Sequence, residues 1–379
     1  MPSSSIRASR SASPGSLGAA RCRVNRALRR AGRTATGSTP AGAHPRLAGS
    51  GPRKRPAVAD RPRFRPEGVI PACLLPFHED FSIDEASYRK HLREVASVRG
   101  ITAVTVNAHA SEVASCSEAE QRRVMELTME EVGDRLPVVH GIYADGSHAA
   151  ARLARQAEAG GASALLIFPS AVLAMGGQLR PEMAYAHFAT IAEATSLPLI
   201  LFQYPLTGPA GLGYPLETIV MLAERIPTLV AIKDWCADPV LHERQVQVLQ
   251  SLPRPVAVLT THSAWLLSSL VTGCKGLLSG AGSVVADLQV AMFEAVERGD
   301  LAAARAVNAR YLPLAQAFYA PPFLDMHNRM KAALVLLGRL PRAVVRPPLV
   351  ELGRAEIERL EAAIRAAGLR REPPLDRAA

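Results

Sequence analysis

The chain of 379 residues is poor in several of the features that mark common protein classes. Its five cysteines, Cys22, Cys73, Cys116, Cys236 and Cys274, include no CxxC pair, which argues against a structural zinc or a disulfide framework and points to a reducing compartment. No apolar run approaches the ~18 residues of a membrane span, and no secretory apolar region follows the basic start. A cytoplasmic location without membrane attachment is therefore expected. Acids are almost missing from residues 1–66, where fifteen Lys or Arg face one acid, Asp60. That segment carries +14 against +10 for the whole chain, so the remainder is −4. The remainder holds no basic stripe with interleaved aromatics, which removes a nucleic-acid partner from consideration there. Glycine is also scarce where a dinucleotide site would need it: the stretch Gly68-Val-Ile-Pro-Ala-Cys-Leu-Leu-Pro76 has only one.

Residues 1–66 lack large apolar side chains and are rich in Arg, Ser, Gly, Pro and Ala. Such a segment buries too little surface to offset its ordering entropy, so a disordered basic tail is expected. Its composition fits an organelle transit peptide, a start codon assigned too far upstream, or a nucleic-acid-binding arm.

From Gly68 short apolar runs alternate with amphipathic segments rich in Ala and Glu. Strands are expected at Val69–Leu75, Ile101–Asn107, Leu136–His140, Ala164–Phe168, Pro198–Phe202, Thr228–Lys233, Val256–Thr260 and Gly276–Ser279. Helices are expected between them at 84–98, 117–132, 147–158, 181–194, 216–225, 239–252 and 264–273, with an eighth at 285–298. Asp84 and Ser117 suit N-caps, and Ser117 with Glu120 has the spacing of a capping box. Eight strand–helix units across 67–299 are the count of a (β/α)8 TIM barrel. An open doubly wound sheet is the alternative, and the missing Gly-rich fingerprint favours the closed barrel. Residues 300–379 read as a helical extension with three more helices, the last at 354–367.

Barrel active sites sit at the carboxyl ends of the strands. Those ends offer His109 and Glu112 after the second strand, His140 and Tyr143 after the third, and Phe202 to Tyr204 after the fifth. Lys233 ends the sixth, Thr260 to His262 the seventh, and Ser279 the eighth. Lys233 closes the apolar run Thr228-Leu-Val-Ala-Ile-Lys233, and a period of two puts Leu229, Ala231 and Lys233 on one face. Desolvation there penalises the ammonium form and lowers the amine pKa from ~10.4 toward neutrality, which makes a nucleophile for carbonyl carbon. A lysine that snorkels past a strand end is the plain alternative.

At these positions the chain resembles the dihydrodipicolinate synthase and N-acetylneuraminate lyase group of class I, Schiff-base aldolases. The landmarks are Pro76-Phe77 with Asp80 and Asp84, Glu112, Pro205, Ile232-Lys233-Asp234, Gly276-Leu-Leu-Ser279, Lys331-Ala-Ala-Leu334 and Val345-Arg-Pro-Pro-Leu349, in order from about Gly68 to Leu369. The resemblance implies Lys233 as the imine lysine, no cofactor beyond that covalent imine, a small 2-oxo acid substrate, and a homo-oligomer, tetramer or dimer. It also implies close packing of the turn Ser279-Gly280-Ala-Gly-Ser283 around the imine site, where a phosphate cradle is the competing reading.

The chain departs from that pattern at several sites. Members that act on pyruvate carry Gly-Thr-Thr-Gly-Glu where this chain has Ala108-His109-Ala110-Ser111-Glu112, so both carboxylate-holding threonines are gone. Their proton-shuttling tyrosine falls at Phe202, in Phe202-Gln-Tyr204-Pro205, and phenylalanine cannot transfer a proton. The arginine that would hold a second substrate falls near Thr207, and a tyrosine pair falls at Ser170-Ala171. These losses argue against synthesis of dihydrodipicolinate.

Replacements are at hand. His109, with an ordinary pKa near 6.5, suits general acid–base work, and Tyr204 keeps the strand parity of Phe202. Ser111, Glu112, Phe202, Ser279 and Gly280 are expected to bind substrate. The expected activity is a lyase, an aldolase or dehydratase, acting on a 2-oxo acid. The alternatives are a barrel without turnover that binds or assembles, and a metal-assisted enzyme using His109, His140 and His262. The three histidines have no known ligand spacing, so no metal site is assigned.

Overall fold

A computed structural model describes residues 64–208 and 211–371. The basic segment expected to be disordered lies outside the described residues except for its last three. Eight parallel strands form one sheet in the order β1-β8-β7-β6-β5-β4-β3-β2. They are β1 Gly68–Pro71, β2 Val104–Val106, β3 Val138–Ile142, β4 Ala164–Ile167, β5 Leu199–Gln203, β6 Leu229–Asp234, β7 Ala257–Thr260 and β8 Gly276–Ser279. Single parallel bridges, Val69 to Ile101 and Ala72 to Thr105, join β1 to β2 and close the barrel. The first two strands are shorter than expected. Pro71 has no N–H to continue a ladder, so beyond it the chain runs extended with only the Ala72 bridge.

Helices α1 Glu85–Ser97, α2 Glu118–Val132, α3 Ser147–Ala159, α4 Pro181–Ala192, α5 Leu216–Arg225, α6 Pro239–Gln250, α7 Leu266–Val271 and α8 Gly282–Glu297 fall between and after the strands. The N-cap side chain of Asp84 accepts from Ser87 N, and the Ser117–Glu120 capping box is complete. The seventh helix, expected as one piece, is a 3-10 turn at Ser263–Trp265 followed by α7, because Trp265 has non-helical angles (φ −140°, ψ 41°). Helix α8 starts earlier than expected and kinks at Val285. The Ser283 hydroxyl at its start donates to Ala72 O (2.8 Å) and accepts from Leu74 N (3.0 Å), which stitches the Ser279–Ser283 turn to the chain beyond β1.

Two apolar cores follow from strand alternation. The outer one packs Val104, Leu165, Leu201 and Ile232 under α1–α6. The inner one holds Val139, Leu166, Ile200, Ala231 and Leu259, and continues into α8 and three further helices, α9 Leu301–Phe318, α10 Met326–Leu336 and α11 Arg354–Ala366. One expectation is corrected here. The register between β5 and β6 slips by a residue, pairing Leu199 with Leu229 but Ile200 with Ala231. The extra residue turns Leu229 to the outer core, while Ala231 and Lys233 keep the inner face. Among the described residues no helix is long and apolar enough to cross a membrane.

Candidate active site

A cavity opens at the carboxyl end of the barrel, and Lys233 is in its wall. Lys233 pairs with Phe202 of β5 on one side and Leu259 of β7 on the other, and its Nζ lies 3.9 Å above the centre of the Phe202 ring. It is 5% exposed and its amine has no hydrogen-bond partner among the described residues. Burial lowers its pKa to about 7, so an appreciable fraction is neutral at physiological pH.

Opposite stands His109, in a 3-10 turn after β2. Its Nε2 is 2.9 Å from the Tyr204 hydroxyl. Burial first and the nearby Lys233 second hold the imidazole neutral, with a pKa lowered to about 3, and burial pushes the Tyr204 phenol up. Both groups are therefore neutral, and with the imidazole proton on Nδ1 the phenol donates to Nε2. The turn is fixed at both ends by non-glycine residues in the left-handed region, Asn107 (φ 50°) and Glu112 (φ 51°). Asn107 Nδ2 donates to Gln121 O at 2.8 Å and reaches His140 Nε2 at 2.9 Å. The Glu112 carboxylate accepts from Lys331 Nζ (2.5 Å) and from Arg346 N (3.0 Å).

An aromatic wall runs from Phe168 through Phe202 and Tyr204 to Trp235, where Phe323 stacks at 4.9 Å. Phe323 follows α9, so the helical extension completes the site. It also supplies His327 from α10, with its ring 6.4 Å from that of His109. Gly280 lies against this imidazole: a Cβ there would come within 3.0 Å of His327 Nε2. Burial first, with the nearby Lys233 and Lys331 adding to it, holds His327 neutral, well below its ordinary pKa.

Lys233, His109, Phe202 and Gly280 thus line one cavity, and Tyr204 joins it through His109. Three residues expected to bind substrate do not line it. The Ser111 hydroxyl donates to Cys73 O (2.9 Å) and its N–H to Ala108 O (3.0 Å), leaving no donor free. The Glu112 carboxylate faces the extension. The Ser279 hydroxyl meets Ser263 Oγ, Ala281 N and Gln289 Nε2 behind the cavity. His327 was missed, although the spacing His327 to Lys331, four residues apart, already placed an imidazole on the face of the Lys331 landmark.

The three histidines are not brought together: His140 faces Asn107, and His262 sits on the outer side of the barrel. There Asp234, Cys236 and His262 offer ligand atoms within 4.8 Å of one another. Each carboxylate oxygen and the imidazole lone pair is already engaged. Asp234 accepts from Cys236 N, His242 Nδ1 (2.6 Å) and Gln245 Nε2, and His262 Nε2 accepts from Ala237 N (3.1 Å). Although burial opposes it, the bond to Asp234 raises His242 to about 10, so this is a buried ion pair bracing β6 just beyond Lys233.

The model of the dihydrodipicolinate synthetase family matches residues 65–367. The chain belongs to that family. Its relatives include the 4-hydroxy-tetrahydrodipicolinate synthases of Methanopyrus kandleri (30% identical over 307 residues, 81% of this chain and 98% of that one) and Kineococcus radiotolerans (31% over 327 residues, 84% and 98%). Among solved structures, a monomeric dihydrodipicolinate synthase variant aligns with TM-score 0.73 at 25% identity, covering 80% of this chain and 97% of its own. The dihydrodipicolinate synthase of Thermotoga maritima aligns with TM-score 0.71 at 25% identity, covering 81% and 99%.

Proposed function

We propose that the protein is a Schiff-base lyase of the class I aldolase type that acts on a 2-oxo acid and needs no cofactor beyond the imine on Lys233. The observation that carries this proposal is the buried, unpartnered Lys233 amine in one cavity with an imidazole–phenol pair. The neutral amine adds to C2 of the substrate; a C–N bond forms, the C–O bond breaks, and the oxygen leaves as water with the two amine hydrogens. The imine, once protonated, draws in the electrons of the C3–C4 bond as the C4 hydroxyl loses its proton, which gives an enamine and an aldehyde. The C4 hydroxyl proton is taken up at the Tyr204 oxygen as the phenol's own proton shifts toward His109 Nε2, and because burial disfavours a charged imidazole the proton is held there only transiently. Return of that proton to C3, followed by water, releases the shortened oxo acid and the free amine. Dehydration would use the same groups, with the C3 proton removed and the C4 hydroxyl leaving as water. The exposed apolar side chains Val172, Met175, Leu179 and Met183 after β4 support the homo-oligomer implied by the resemblance.

Borohydride trapping against a panel of 2-oxo acids, followed by peptide mass spectrometry, tests the proposal. The expected result is a reduced adduct on the peptide holding Lys233 with at least one acid, and none in Lys233→Ala. A folded protein left unlabelled by every acid overturns it and favours a barrel with a binding or assembly role.

A further inference from the structure

We propose that His327, carried by α10, is the group that binds the substrate carboxylate beside the imine; this rests on the Lys233 reading above. A 2-oxo acid brings a carboxylate into a cavity with no arginine in its wall. The polar side chains lining it are His109, Lys233, Trp235, Thr261, Tyr319 and His327. Lys233 is consumed by the imine. His109 Nε2 is engaged with Tyr204 at 2.9 Å, whereas the Tyr319 hydroxyl accepts from Ser263 at 3.0 Å and keeps its own O–H, so it stands with Thr261 as a competing hydroxyl. The two positions that hold hydroxyls in pyruvate-using members are His109 and Ala110, and Ser111 is spent on Cys73 O.

Lys233 apart, His327 alone among these side chains is both buried and without a hydrogen-bond partner among the described residues. It is 8% exposed, and neither ring nitrogen has a hydrogen-bond partner among the described residues. Its N–H has no protein bond to give up, and a charge-assisted bond to a carboxylate would satisfy it. Room for the ring comes from Gly280, where any Cβ would crowd Nε2. Helix α10 is rigidly placed: Lys331, one turn on, is tied to Glu112, and Arg329 donates to Phe318 O, Ala320 O and Pro322 O at the end of α9. The imidazole is thus held at the cavity wall by its helix and not by its own bonds.

The experiment compares rates of cyanoborohydride trapping on Lys233 by pyruvate and by acetone, the same carbonyl without the carboxylate. The wild-type chain is expected to prefer pyruvate. His327→Leu is expected to lower the pyruvate-to-acetone ratio tenfold or more, while His327→Gln, which keeps an N–H donor, retains most of it. Acetone trapping in each variant reports that the pocket is folded, and Thr261→Val and Tyr319→Phe test the competing hydroxyls. An unchanged ratio in His327→Leu, a ratio lost only in Thr261→Val or Tyr319→Phe, or a wild-type chain with no preference overturns the assignment of His327 and leaves the imine standing. A wild-type chain that takes no adduct from either carbonyl or from any 2-oxo acid of the panel overturns the Lys233 reading and this inference with it.

Discussion

Burial of Lys233 works against folding wherever the unfolded chain would hold a proton on that amine. The folded pKa is about 7 and the unfolded one about 10.4, so between these values the unfolded state binds a proton that the folded state does not. Stability contributed at this site therefore rises with pH from 7 to about 10.4 and is at its lowest below 7. The shift corresponds to roughly 5 kcal/mol across the window. Lys233→Met is expected to raise the melting temperature at pH 7, with the gain shrinking toward pH 10; a gain independent of pH would mean the amine is not desolvated. The same burial makes the neutral nucleophile, so stability is given up where chemistry is done. Desolvation of Lys233 was legible in the sequence because an apolar run of fixed parity leads to it. That His109 and Tyr204 follow strand ends was legible too, but their bond to one another was not, because it joins turns 95 residues apart in sequence. Ser111 was not, because the direction of a hydroxyl is set by a carbonyl 38 residues away in sequence, Cys73 O.

Helix α10 does two jobs on one face, with His327 at the cavity and Lys331 on Glu112. The second job is electrostatic: Lys331 Nζ also donates to Val344 O (2.8 Å), and its ion pair with Glu112 is shielded from water, at 1% and 6% side-chain exposure. Removing one partner strands the other charge, so Lys331→Met is expected to cost about 3–5 kcal/mol by urea denaturation. Adding Glu112→Gln to that variant is expected to recover most of the loss; a double variant as unstable as the single one would show that packing, not charge, is what Lys331 contributes. The His327–Lys331 spacing could be read from the sequence. What could not be read is that α10 lies across the barrel mouth, since a helix does not encode the partner of its buried face. The slip at β5 and β6 was hidden for a related reason: one inserted residue in a strand has no signature in a period of two, and only the pairing of Ile200 with Ala231 reveals it.

At the scale of the molecule, the boundary expected between a barrel ending at 299 and an extension from 300 divides segments that share one core. The change from alternating strand and helix to helix alone was legible there, but the shared packing was not. Tyr311, Leu314, Phe318, Met330, Leu334 and Leu360 are fully buried, and they belong to the same cluster as Val285, Leu288 and Met292 of α8 and Val139, Leu166 and Ile200 of the barrel interior. Each fully buried large side chain contributes about 1.5–3 kcal/mol, and domains are stable by only about 5–15 kcal/mol in total. Losing six such side chains, and exposing their partners on α8, exceeds that margin. A chain ended after Gly299 is therefore expected to show no cooperative transition by circular dichroism, while the full chain unfolds in one step. Two separate transitions in the full chain, or a cooperative melt of the truncated one, would make the extension an independent domain. The expected result also bears on chemistry, because the extension that completes the core is the one that carries Phe323 and His327 to the cavity, so the barrel cannot keep its fold and lose its site by truncation there.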